Sequence, residues 1–259
     1  MSSLNCYYMI SYYYWFTSFG YCDDYFIEEK KCCEDQLLTD WEIIFHKEYS
    51  FYIQDFLNLL NINNDFNQIK QKIFKANNID EKKYDLKIYF YNVAILKSSK
   101  FKKYVFTFPG FKAIYQVLPT FILSHLVDFE NNKNIKVNKY FYLIFEIIKN
   151  DIFSEVILND IKQNKDYQII FTGHSLGGAM ATLASYYFKK HNLGENEPIL
   201  ITFGQPRVGN ENFARNYMEI ISNVYRIERE NDIVSMFPPI KNIKESDTIY
   251  CLIAKIKTQ

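Results

Sequence analysis

The sequence predicts a doubly wound α/β domain with a mainly parallel sheet flanked by helices. From residue 86 onward, short apolar runs alternate with helical patterns, and the runs at 167–172 and 199–203 have the composition of buried parallel strands. Strand, helix, strand, helix and strand in succession imply right-handed crossovers within one sheet. Because the chain contains no internal repeat and no Gly/Ser-rich linker, its 259 residues are expected to form a single domain.

The predicted elements follow in chain order. Residues 1–83 are expected to form a helical and irregular N-terminal segment that packs on the core, with apolar side chains at helical spacing over 49–60. Residues 84–259 are expected to form the core. There, 87–95 and 104–108 are β-branched and aromatic and should pair like a hairpin. The remaining predicted core elements are helices over 139–163, 176–190 and 211–221 and a strand over 223–229.

Composition limits the classes of function. Thirty basic and thirty acidic residues give a formal net charge of zero, which offers no electrostatic footprint for nucleic acid. No stretch reaches about 18 uninterrupted apolar residues, so no transmembrane span is predicted. Residues 1–22 carry no charge but are rich in tyrosine, which favours an amphipathic helix over a secretory signal.

The five cysteines are Cys6, Cys22, Cys32, Cys33 and Cys251, and none has metal-ligand spacing with partner histidines. We therefore expect no metal site. Buried free thiols are one interpretation. A disulfide from Cys22 to Cys32 or Cys33, formed in an oxidising compartment, is the other, and both stay open.

The strongest local signal is the pentapeptide GHSLG at residues 173–177, a G-x-S-x-G motif between a predicted strand and a predicted helix. A nucleophilic serine must project from a strained turn, so the residues on both sides of it must be small. The helix that follows offers backbone N–H groups and its dipole to an oxyanion. The motif recurs by chance in ordinary βα turns, but the strand before it and the small-residue helix after it favour Ser175 as a nucleophile.

Three ordered blocks resemble the signatures of class 3 (fungal-type) lipases. They are TGHSLGGAMA at 172–181, TFGQPRVGN at 202–210, and the segment from YRI at 225–227 through NDIV at 231–234 to PP at 238–239. The resemblance implies an α/β-hydrolase fold. It also implies hydrolysis of acyl esters, typically glycerides, without a metal or organic cofactor, and a lipid or lipid–water interface as partner. Family members are commonly secreted or vesicular.

The resemblance also assigns Asp232 to the triad aspartate. Asp232 follows a predicted strand, at the sheet edge where open α/β sheets bind ligands, and a carboxylate there can orient an imidazole. The oxyanion hole is expected from the backbone N–H groups of Leu176 and Phe111. Relatives carry Thr, Ser or Asp where Phe111 stands, so the resemblance implies a weakened hole. The backbone N–H of Phe111 can still donate, but the side-chain hydrogen bond that orients the loop is lost. Residues 113–126 occupy the position of the family's lid, although a plain buried helix fits them equally well.

The catalytic histidine is the missing part of the expected triad. In this fold the triad runs Ser, Asp, His along the chain, whereas the four histidines, His46, His125, His174 and His191, all precede Asp232. We therefore expect little or no lipase activity and interpret the C-terminal tail as truncated or misjoined. Of the four, only His125 is considered as a substitute base. The alternative functions are a catalytically inactive protein that binds lipid or a partner, and an acyltransferase or thioesterase on the same fold.

Overall fold

The computed structural model describes residues 40–52, 88–110, 125–228 and 232–237. Within these ranges the chain forms one six-stranded sheet, one two-stranded sheet and five helices. The strands are β1 (Glu42–Tyr52), β2 (Ile88–Ser98), β3 (Lys103–Phe108), β4 (Leu126–Phe129), β5 (Asn132–Asn138), β6 (Gln168–His174), β7 (Ile199–Phe203) and β8 (Asn223–Ile227). The helices are α1 (Lys139–Ile152), α2 (Glu155–Gln163), α3 (Leu176–Lys190), α4 (Glu211–Ile220) and α5 (Ile233–Met236).

The large sheet has the strand order β1-β2-β3-β6-β7-β8. Its first three strands pair antiparallel, and β3, β6, β7 and β8 pair parallel. The predicted α/β domain with a mainly parallel sheet and flanking helices is confirmed. Because the four parallel strands run in one direction, their carboxyl ends meet at one edge, where open α/β sheets bind their ligands.

Helix α3 packs closely on the centre of this sheet. It contacts β3, β6 and β7, and also the neighbouring helices α1 and α4. Ala179, Ala181 and Ala184 are fully buried, and their small side chains allow the helix to approach the strands. In the same apolar cluster, the rings of Phe106 and Phe171 stack with centroids 4.7 Å apart. Each such buried side chain stabilises the fold by about 1.5–3 kcal/mol, so the turn that carries Ser175 adjoins a well-packed core.

Several elements coincide with their predictions. Helix α3 and strand β7 have the bounds expected from the sequence. The expected hairpin-like pair is β2 and β3, in which Ala94 pairs with Thr107 and Ser98 with Lys103. In each case a continuous apolar or small-residue pattern ends at a polar or glycine-containing turn, so local sequence is sufficient to define the element.

The helical pattern predicted from residue 49 is wrong where the structure describes it. Residues up to Tyr52 instead belong to β1, which pairs antiparallel with β2 along its length. The register shifts between Ile43 and Phe45, and such a bulge disturbs the period-two alternation of a strand. Partly buried Ile43 packs on one apolar cluster of the sheet, and Ile44 and Phe45 pack on the other. From Phe45 to Tyr52 the pairing with β2 is regular, so pairing with a distant strand overrides the helical spacing of the local sequence.

The single long helix predicted over 139–163 is also wrong, because the chain forms two helices. Helix α1 ends at Ile152, and the following Phe153 donates its backbone N–H to the Lys149 carbonyl oxygen at 3.0 Å. Ser154 then adopts an extended conformation and precedes α2. The buried face nevertheless continues through Ile152 and Ile157 on either side of the break. Apolar periodicity alone therefore could not reveal the break between the two helices.

Some predictions concern residues outside the described ranges. These include the five cysteines, residues 1–39, the residues after 237, and all of the lid segment except His125 and Leu126, where β4 begins. Among the helices that the structure describes, none is long and apolar enough to cross a membrane.

Candidate active site

Ser175 lies on a strained turn between β6 and α3. Its backbone has φ 53° and ψ −122°, in the left-handed half of conformational space that favours glycine. A non-glycine residue held in such a region costs about 1–3 kcal/mol. Two backbone hydrogen bonds of 2.9 Å hold the turn: Ser175 N–H donates to the Phe203 carbonyl, and Gly178 N–H donates to the Ser175 carbonyl. The residue is 4% exposed, so the turn is enclosed by its neighbours.

The glycines of the motif are required by close backbone approaches. A Cβ on Gly177 would lie 1.9 Å from the carbonyl oxygen of Phe108 and 2.5 Å from that of Pro109. A Cβ on Gly173 would lie 2.2 Å from the carbonyl oxygen of Gly177. Since real Cβ atoms essentially never come within 3.0 Å of such neighbours, both positions need glycine. The end of β3 and the first turn of α3 are therefore in direct contact.

This contact concerns the predicted oxyanion hole. Leu176 is the first residue of α3, and the first N–H groups of a helix have no intrahelical partner. Pro109 and Gly110, which begin the loop after β3, are buried beside that helix start. Phe111 itself lies outside the described residues, so its part in the hole stays a prediction.

Asp232 precedes α5, five residues after the end of β8. Its carboxylate oxygen Oδ1 accepts a 2.9 Å hydrogen bond from Val234 N–H, and its carbonyl oxygen accepts one of 2.9 Å from the Ser235 hydroxyl. Asp232 therefore caps the short helix. Because β6 and β8 belong to the same parallel set, Ser175 and Asp232 both follow carboxyl ends at the same edge of the sheet.

His174, which precedes Ser175 in the motif, and Asp232 lie beside the same residue, Gly204. Gly204 has φ 52°, and a Cβ there would lie 2.8 Å from Asp232 Oδ2 and 3.7 Å from His174 Nε2. The carboxylate and the imidazole thus border the same small space. Burial lowers the pKa of His174 below its ordinary value of 6.5, and the Asp232 carboxylate partly offsets this by raising it. A mainly neutral imidazole therefore lies beside the candidate triad aspartate at neutral pH.

The other three histidines lie on different elements. His46 is on β1, which is three strand spacings of about 4.8 Å each from β6. His191 follows the last residue of α3, about 20 Å from Ser175 at 1.5 Å per residue, and its Nε2 lies 2.7 Å from Glu130. His125 precedes β4, and its pKa is lowered by burial and by Lys139. His174, by contrast, borders the same space as the Asp232 carboxylate.

Arg226 on β8 lies beside the site, although no sequence motif predicts a role for it. It is 5% exposed, and its Nη2 donates to the carbonyl oxygens of Gln205 and Ser235. Its Nε forms an ion pair with Glu228. The available signal was an arginine within the otherwise largely apolar strand NVYRI, since arginine is rarely buried unless it is paired.

The described residues offer a definite set of chemical groups at this edge. They are a serine hydroxyl on a strained turn, a carboxylate, an imidazole and the N-terminus of a 15-residue helix. Within the ranges that the structure describes, no three His, Cys, Asp or Glu side chains come together as metal ligands do. The arrangement suits nucleophilic attack on a carbonyl group with stabilisation of the resulting oxyanion.

The family model of class 3 lipases matches residues 105–242, more than half of the chain, and spans all of these groups. This chain belongs to the class 3 lipase family. A lipase from Rhizopus niveus is 34% identical over 151 residues, which cover 57% of this chain and 38% of that protein. The secreted mono- and diacylglycerol lipase 1 of Fusarium solani is 40% identical over 77 residues, which cover 30% of this chain and 22% of that protein.

The class 3 lipase chain also resembles solved structures. The triacylglyceride lipase of Rhizomucor miehei superposes with a TM-score of 0.69 at 23% identity, over 93% of this chain and 77% of that one. This likeness shows the α/β-hydrolase fold. In sequence, the class 3 lipase chain matches well under half the length of the two curated relatives.

Proposed function

We propose that this class 3 lipase chain provides the nucleophile, Ser175, and the triad aspartate, Asp232, of a hydrolase that cleaves acyl esters, glycerides above all. The observation that carries the proposal is the backbone of Ser175, which is held at φ 53° between β6 and α3. A fold retains strain of this kind mainly where function depends on it. Membership of the family and the glyceride named for the Fusarium solani relative support the substrate class.

The proposed reaction has two steps. The Ser175 hydroxyl oxygen attacks the ester carbonyl carbon, loses its proton to a general base, and forms a tetrahedral oxyanion. Leu176 and Phe111 donate their backbone N–H groups to that oxyanion, while the alcohol leaves with the proton and an acyl-serine remains. Water then attacks the acyl-serine in the same way, and the fatty acid and free Ser175 are released.

Asp232 has the supporting role in this scheme. A carboxylate beside the base holds the imidazole in the required tautomer and stabilises the imidazolium that forms. In the family's order the base follows Asp232, whereas all four histidines of the 259 residues precede it. Removing one triad member costs about 10⁴-fold in rate. We therefore propose that the 259-residue polypeptide by itself hydrolyses esters slowly.

A second candidate function is binding of lipid or a protein partner without catalysis. Phe111 favours it, because its side chain supplies no orienting hydrogen bond to the predicted oxyanion loop. Both candidates use the same sheet edge, but only the hydrolase requires a reactive Ser175.

The test uses residues 1–259 with a fluorophosphonate probe and a short-chain p-nitrophenyl ester. Slow labelling and slow turnover that disappear in Ser175→Ala are expected. Ser154→Ala is the matched control, because the Ser154 side chain makes no capping hydrogen bond to α2 and should leave labelling unchanged.

The other outcomes are equally informative. No labelling at all contradicts the hydrolase and favours the binding function, which sedimentation with a glyceride emulsion then measures. Fast turnover that Ser175→Ala abolishes contradicts the proposed lack of a base. In that case His125→Ala and His174→Gln identify the histidine that serves. Transfer of the acyl group to an added alcohol in preference to water indicates an acyltransferase.

A further inference from the structure

Arg226 joins two segments that carry parts of the candidate site. Its Nη2 donates to the Gln205 carbonyl oxygen at 2.5 Å and to the Ser235 carbonyl oxygen at 3.2 Å. Its Nε forms an ion pair with Glu228. A guanidinium is suited to this position, because its planar set of donors can reach several acceptors in fixed directions. The carboxylate of Glu228 compensates part of the cost of burying the charge.

The segment that contains Gln205 packs against the turn that carries Ser175. Gln205 follows β7, and a Cβ on Gly178 would lie 2.9 Å from the Gln205 Cβ, so Gln205 packs against the first turn of α3. Gly178 in turn donates its N–H to the Ser175 carbonyl oxygen at 2.9 Å. A shift of Gln205 would therefore reach the serine-bearing turn.

The other segment carries Asp232. Ser235 lies on α5, and its hydroxyl donates to the Asp232 carbonyl oxygen at 2.9 Å. The Asp232 carboxylate accepts from Val234 N–H at the start of the same short helix. The one-turn helix and its capping aspartate thus form a small unit, to which Arg226 is bonded through the Ser235 carbonyl.

We propose that Arg226 is a positioning residue whose guanidinium holds Asp232 in place relative to the Ser175 turn by bonding the carbonyl oxygens of Gln205 and Ser235. The importance of this position for catalysis rests on the proposed function. The position itself can be measured without any catalytic activity, because His174 reports on Asp232.

The measured quantity is the pKa of His174 from NMR titration of its ring protons, assigned by their loss in His174→Gln. Asp232 raises this pKa, so Asp232→Asn should lower it. Arg226→Gln should lower it as well, because the carboxylate is no longer held beside the imidazole. The direction is diagnostic. Removing a positive charge without moving Asp232 would raise the pKa of a histidine.

A double-mutant cycle isolates the proposed route. If Arg226 acts through Asp232, then Arg226→Gln should cause no further fall in the His174 pKa in the Asp232→Asn background. Arg226→Lys keeps the charge but lacks the planar donors, so it should give an intermediate fall. Arg215→Gln is the matched control, since Arg215 lies on the surface of α4, pairs there with Glu211, and should leave the pKa unchanged.

Circular dichroism of each variant separates loss of position from loss of fold. If Arg226→Gln does not fold, the cycle is repeated with Arg226→Lys. An unchanged or raised His174 pKa in the folded Arg226 variant overturns the proposal, as does an equal fall in both backgrounds. A positive cycle in a chain whose Ser175 is never labelled would keep the positioning role and contradict the proposed function alone.

Discussion

Replacement of Gly177 by alanine should destabilise the fold and displace the start of α3. The added Cβ would lie 1.9 Å from the Phe108 carbonyl oxygen and 2.5 Å from the Phe108 carbonyl carbon. These are backbone atoms at the end of β3, where Phe108 pairs with Gly173 of β6. They cannot rotate away, so the first turn of α3 must move by about 1 Å to restore a 3.0 Å contact.

The size of the effect follows from two opposing contributions. Overpacking of a well-packed interior costs about 1–3 kcal/mol, and rigid backbone neighbours favour the upper end of that range. Alanine in a helix is more stable than glycine by about 1 kcal/mol. The free energy of unfolding should therefore fall by about 2 kcal/mol in Gly177→Ala. Gly178→Ala is the matched control, because its Cβ would meet Gln205 Cβ at 2.9 Å and Cγ at 3.0 Å, so that a shift of about 0.1 Å restores a 3.0 Å contact.

Urea unfolding followed by circular dichroism measures both variants. We expect Gly178→Ala to stay within about 1 kcal/mol of the parent chain, since its helix propensity gain offsets a small adjustment of Gln205. Gly177→Ala should also be labelled more slowly by a fluorophosphonate, because Leu176 N–H moves with the helix start. Equal stability of the two variants would refute the argument from the Gly177 contact.

Two further predictions concern Ser175 and His174. Ser175→Gly should be more stable than Ser175→Ala by about 1 kcal/mol, because glycine adopts a φ of 53° without strain; equal urea midpoints would contradict this. The pKa of folded His174 lies below its ordinary value of 6.5, so the unfolded chain binds more protons and stability falls as the pH drops through 6.5. His174→Gln should remove part of that fall in urea titrations between about pH 7 and pH 5, and an identical pH dependence would show that His174 is not its source.

The sequence by itself determined the part of the fold that depends on local signals. The G-x-S-x-G motif with its flanking strand and small-residue helix predicted the position of Ser175 between β6 and α3, together with the bounds of α3 and β7. Here the requirement for glycine and the start of a helix come from neighbours in the chain. The order of alternating elements was likewise sufficient to predict a mainly parallel sheet.

Only the tertiary structure decided the features that depend on distant pairing. Residues 42–52 form a strand because β2 offers them a partner edge, which no local pattern shows. The placement of His174 and Asp232 beside the same glycine, Gly204, requires the register of β6, β7 and β8. The bonds of Arg226 to the segment after β7 and to α5 depend on the same register. Pairing in a sheet is set by which strands meet and in what alignment, and that alignment brings together residues far apart in the chain.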